Sequence, residues 1–65
     1  MTNSGKEELI RRLNRIKGQV EGILRMTQFH KTAHEIFNQI TAAKKALDGA
    51  GRFVLENYIK ENLPR

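Results

Sequence analysis

The side chains best suited to chemistry in this sequence are arginines set at helical spacing. On a wheel of about 100° per residue, Arg11, Arg15, Gly18, Gly22 and Arg25 fall on one side, with Arg12 and Gln19 on its flank. Guanidinium forks match phosphate oxygens and guanine edges. A side-chain amide bonds a base edge or a phosphate, and a glycine lets a groove wall or another backbone come close. This is the pattern of a nucleic-acid-binding helix face, although arginines also furnish plain solvated faces. His30 and His34 stand four residues apart, a spacing that makes a metal pair on one continuous helix. Thr32 between them reads as a helix cap, so one histidine falls outside the helix, and no further ligands cluster beside them. Two solvated histidines are the simpler reading. No catalytic set emerges: cysteine is absent, there is no Gly-rich phosphate loop and no HExxH motif, and Ser4 is the only serine. The expectation is a protein that is not an enzyme.

Two helices must carry these residues. Ser4-Gly5-Lys6-Glu7 reads as a capping box with Ser4 as N-cap. Leu9, Leu13, Ile16, Val20 and Ile23 then recur as one apolar stripe with heptad character. The spacing predicts a first helix over about residues 5–28. Phe29-His30-Lys31 forms a short connector, and Thr32-Ala33-His34-Glu35 is a second capping box. Ala33, Ile36, Ile40, Ala43, Leu47, Ala50 and Val54 form the stripe of a second helix over about residues 32–62, stopped by Leu63-Pro64. Phe37, Ala46, Phe53 and Leu55 widen that stripe on both sides. A short connector joins antiparallel neighbours. The fold class expected is therefore all-α: one domain over residues 1–65, an antiparallel hairpin whose wide apolar surface asks for a second hairpin, giving a four-helix-bundle dimer. Gly49 and Gly51 lie mid-helix, where each costs up to about 1 kcal/mol against Ala. They are either tolerated weak positions or sites of close helix contact.

Bulk properties agree with association. A chain of 65 residues without cysteine has no disulfide to support a small core. Twelve Lys+Arg against seven Asp+Glu give a formal charge of +5, which favours a polyanionic partner. No apolar run approaches the roughly 20 residues of a membrane span, and the first residues lack the apolar core of a signal peptide. A cytoplasmic location with no membrane partner is expected.

The segment Arg12-Leu13-Asn14-Arg15-Ile16-Lys17-Gly18-Gln19-Val20-Glu21-Gly22-Ile23 resembles the RLxRIxGQVxGI signature of the copper-sensing operon repressor family, the CsoR/RcnR type of metal-sensitive transcriptional repressor. The similarity continues at Arg25-Met26, Gln39-Ile40, Ala46-Leu47-Asp48-Gly49 and Leu55-Glu56, without gaps from about Leu9 to Asn62. The resemblance implies hairpins paired into four-helix dimers and dimers paired into a tetramer. It implies a repressor that binds double-stranded operator DNA and releases it when an inducer binds. It assigns DNA contact to Arg12 and Arg15, with Lys17 and Gln19 as neighbours in the motif. It also implies a Cys/His/Cys copper site, whose positions here are Ala33, Tyr58 and Asn62. Ala33 has no donor atom, and phenol and amide are poor ligands for Cu(I), which selects sulfur. Cu(I) is therefore not the expected inducer.

The sequence thus reads as a thiol-free DNA-binding repressor. Its inducer is open: a divalent transition metal held through His30 or His34, a small molecule near Tyr58, or none. The alternative class is a helical assembly module that pairs with a cysteine-containing relative. Arg12, Arg15 and Gln19 favour the DNA reading, because a pure scaffold needs none of them. A nonspecific nucleic-acid binder is the third reading, distinguished by the lack of a preference for operator over random DNA.

Overall fold

The computed structural model describes residues 1–63. Helix α1 (Asn3–Gln28) and helix α2 (Ala33–Asn62) pack against each other as an antiparallel hairpin. Among the described residues there is no strand. The amphipathic periods read from the sequence account for both helices.

The start of α1 corrects the sequence reading. Thr2, not Ser4, is the N-cap. Its Oγ1 accepts the Gly5 N–H at 3.0 Å, and its carbonyl accepts from Lys6. Serine and threonine are both good caps, so the choice lies in packing. With the helix entered at Thr2, Gly5 is buried in the seam between the helices. A Cβ at Gly5 would stand 2.8 Å from Met1 Cγ and 3.3 Å from Asn57 Oδ1, so this close approach requires glycine. Ser4 becomes an ordinary helical residue and the Ser4–Glu7 box is not formed.

Helix α1 closes through a Schellman turn. His30 has φ 59°, and its N–H donates to the Thr27 carbonyl at 3.4 Å. The Lys31 N–H donates to the Met26 carbonyl at 3.0 Å. Glycine usually occupies the left-handed position, but histidine is among the residues that tolerate it. Thr32 caps α2 as read from sequence, its Oγ1 accepting the Glu35 N–H at 3.2 Å. Helix α2 ends at Leu63, whose extended backbone (φ −70°, ψ 130°) is what a following proline demands. Pro64 itself lies outside the described residues.

The hairpin is a slab of 54 × 19 × 9 Å, one helix layer thick. Its radius of gyration is 15.4 Å, against about 11 Å for a compact chain of this length. Ile16 and Ala50 are its only buried apolar side chains among the described residues. Leu13, Val20, Ile40, Leu47 and Val54 stay exposed. An apolar furrow lined by Leu9, Leu13, Leu47, Ala50, Gly51 and Val54 runs along one side of the seam. At Gly51 nothing lies within 4 Å of where a Cβ would stand, so no contact within the hairpin asks for glycine there. Helices bury an apolar stripe only against another layer, and this slab has one layer. None of the described helices is long and apolar enough to cross a membrane.

Candidate nucleic-acid interface

The other side of the same seam is basic. Arg11, Arg12 and Arg15 from α1 meet Ala46 and Gly49 from α2 around a cleft of about 310 Å³ floored by Ile16. The small α2 residues leave room for the guanidinium groups to lie over the seam. A shallower hollow continues the cleft and is lined by Arg12, Gly49, Arg52, Phe53 and Glu56. Arginines from two helices therefore converge on one strip of surface.

The arginines differ in what they hold. Arg12 is half-buried and its Nε donates to Glu8 Oε2 at 3.3 Å. Its guanidinium carbon sits 4.8 Å from the centre of the Phe53 ring, within cation–π range. Arg11 donates from Nη2 to the same Glu8 oxygen at 2.6 Å. Partial desolvation, which alone would raise the Glu8 carboxyl, is outweighed by the hydrogen bonds and charges of Arg11 and Arg12, which hold it below the ordinary value. Arg15 and Arg52 have no carboxylate at ion-pair distance among the described residues. Arg15 is exposed on the wall of the cleft.

The remaining residues singled out from sequence are spread more widely. Gln19 does not lie open beside Arg15. Its Oε1 is buried without a hydrogen-bond partner, and the side chain lines a separate hollow of about 440 Å³ toward the connector, with Gln39, Arg25 and Lys31. Lys17 is exposed but lines neither arginine hollow. By helical position it sits on the edge with Ile10 and Leu24, away from the cluster. Gly18 faces open space, with nothing within 4 Å of a would-be Cβ. The arginine strip thus unites Arg12 and Arg15 and leaves Lys17 and Gln19 apart.

Sequence reasoning missed Glu8 from α1 and the α2 contribution of Arg52 and Phe53. The signals existed. Glu8 stands three and four residues before Arg11 and Arg12, the spacing of helical ion pairs. Arg52 follows Gly49 by one helical turn. Only the register between helices tells that Arg12 meets Phe53.

The histidines and the three residues that the resemblance matches to a copper site lie elsewhere. His30 is fixed in the turn, and His34 Nε2 lies 3.4 Å from the Asn38 amide in the first turn of α2. No group of three or more His, Asp or Glu side chains is gathered among the described residues. Ala33 opens α2, while Tyr58 and Asn62 lie near its far end. At 1.5 Å per residue, Ala33 and Tyr58 are roughly 38 Å apart along one helix, so only a second, antiparallel copy brings them together. The Asn62 Nδ2 donates to the Tyr58 carbonyl at 2.8 Å, which leaves Oδ1 as its only ligating atom. A methyl group, a phenol and an amide oxygen do not fit a copper ion that selects sulfur.

Comparison with known proteins agrees with these features. Residues 5–64 match the family described as metal-sensitive transcriptional repressor. An uncharacterized protein in the bioA 5′ region of Serratia marcescens is 32% identical over 62 residues, covering 95% of this chain and 68% of that protein. The copper-sensing transcriptional repressor CsoR of Mycobacterium bovis is 29% identical over 55 residues, covering 85% of this chain and 46% of that protein. No solved structure gives a significant match.

Proposed function

Because this chain belongs to the metal-sensitive transcriptional repressor family, we propose that it represses transcription by binding operator DNA through the arginine strip at the α1/α2 seam. The observation that carries this reading is the pairing state of Arg15. It is exposed in a cleft beside Arg11 and Arg12 with no carboxylate of its own among the described residues, so its guanidinium is open to a phosphate or a guanine edge. Arg12 is held by Glu8 and Phe53 and presents its remaining donors from a fixed position. Arg52 extends the strip from the second helix.

In this reading the two sides of the slab divide the work. The apolar furrow takes a second hairpin, giving a four-helix dimer, and dimers join into a tetramer. Assembly multiplies the arginine contacts, which matters because each is an exposed charge of modest strength. Such a repressor works in the cytoplasm on double-stranded DNA. Cu(I) does not act as inducer at Ala33, Tyr58 and Asn62, because their donors do not suit it. Electrophoretic and calorimetric titration against the DNA upstream of its own gene tests the proposal. A preference over random duplex of at least about a thousandfold is expected for a specific regulator. Equal affinity for both DNAs would reduce the protein to a nonspecific binder, and no binding to either would leave an assembly module.

A further inference from the structure

Among the described residues Glu8 is the one carboxylate that reaches into the arginine strip by ion pairing, and it reaches two arginines at once. Its Oε2 accepts from Arg11 Nη2 at 2.6 Å and from Arg12 Nε at 3.3 Å. Glu7 beside it makes no such pair among the described residues, and Glu56, which lines the neighbouring hollow with Arg12 and Arg52, is not at ion-pair distance from either. We propose that Glu8 is an affinity-limiting residue: it occupies the guanidinium groups of Arg11 and Arg12 in the free protein, so that a DNA phosphate gains them only by exchange, while Arg15 is available outright. This rests on the DNA-binding reading.

The argument is one of relative strengths. An exposed pair at this helical spacing is weak, so a phosphate that is well placed by the operator complex displaces it at small cost. A phosphate met in a loose, nonspecific encounter has less to offer and more often leaves the pair intact, forgoing a contact worth less than the pair. The carboxylate therefore costs the operator complex the whole pair and a loose complex at most that much. Arg12 keeps its position during exchange because Phe53 supports it from the α2 side at 4.8 Å. Arg11, with a largely exposed side chain and no aromatic support, is the arginine most fully released.

The test compares Glu8→Gln with Glu7→Gln in the full chain, since both variants remove one negative charge from adjacent positions. Affinity for the upstream DNA and for a random duplex of equal length is measured across a salt series. Glu8→Gln is expected to bind the upstream DNA more tightly than Glu7→Gln by about two- to fivefold per bound subunit, the scale of an exposed ion pair. Its gain on random DNA should be no larger, and there the salt slope should steepen by about 0.9 for each arginine newly engaged. Equal behaviour of the two variants would overturn the proposal, as would weaker random-DNA binding by Glu8→Gln at unchanged helicity. If the unaltered chain binds neither DNA, the DNA reading fails by itself. Masking is then read on a heparin column, where later salt elution of Glu8→Gln than of Glu7→Gln supports it and co-elution refutes it.

Discussion

The two sides of this slab are built from the same two helices and differ in what completes them. On one side Leu9, Leu13, Leu47 and Val54 form a furrow with no polar partner to seek. On the other, Arg11, Arg12 and Arg15 gather over Ala46 and Gly49. The apolar side is incomplete because its surface is unburied. The basic side is complete as a structure, with Glu8 and Phe53 holding two of its charges, and unfinished only in charge balance. In the proposed function one side thus governs assembly, and the other what the assembly recognises. Substitutions on the two sides should have separable effects.

The largest effect is expected from Leu47→Lys. Each subunit loses about 1.5–3 kcal/mol of leucine burial and must place an ammonium in an apolar seam. Sedimentation velocity with circular dichroism should show a monomer of much reduced helicity. A helical dimer of this variant would break the division between the sides. Next comes Arg15→Ala, which should leave assembly intact. It should weaken operator binding on the order of a hundredfold for a bound dimer, the loss of one charged hydrogen bond in each subunit. Its salt slope should flatten by about 0.9 per lost contact. Operator affinity unchanged at native helicity would remove Arg15 from the interface.

Gly18→Ala sharpens the comparison, because its two readouts should move in opposite directions. The site has open space, so alanine should raise thermal stability by about 0.5–1 kcal/mol per subunit. DNA affinity should nevertheless fall if a groove wall approaches the α1 backbone there. A gain in stability with full DNA binding would show that nothing approaches Gly18. His30→Gly serves as the neutral reference. It relieves the left-handed strain at φ 59° and should stabilise by roughly 0.5–1 kcal/mol without altering association or DNA binding. The smallest effect concerns acid. Because the folded-state value of Glu8 is lowered from 4.5, its pairing with Arg11 and Arg12 favours the folded form above the unfolded value. That contribution is lost only as the pH falls through the lowered one. An NMR titration of the Glu8 carboxyl should show a low midpoint in the native chain that moves upward in Arg11→Ala.

Much of this was legible in the sequence, for identifiable reasons. The stripes from Leu9 to Ile23 and from Ala33 to Val54 have one period and no interrupting proline, so the two helices and their antiparallel pairing follow from local pattern alone. Thr32 was readable as a cap because the preceding connector isolates it. The cap of α1 was not, because Thr2 and Ser4 are both suitable caps and the choice depends on how Gly5 meets Asn57 across the seam. The arginine face was visible on a wheel, but a wheel shows one helix. It placed Arg12 at the edge without revealing Phe53, left Arg52 unseen, and ranked Gln19 and Lys17 by motif position. Burial of the Gln19 carbonyl and the outward placement of Lys17 are properties of the pair of helices.

The thickness of the slab has a further consequence. A structure only 9 Å deep, with Ile16 and Ala50 as its buried apolar side chains, has almost no interior of its own. In the proposed assembly its fold is a collective property, governed by mass action among copies. Scarce chains, soon after synthesis begins or after dilution at cell division, are expected to be mostly unstructured and open to proteolysis. Once their number passes the dissociation constant of the assembly, they become folded and competent together. If the chain represses as the proposed assembly, its silencing has a dosage threshold, and the rate at which the chain is made acts as a control input alongside any inducer.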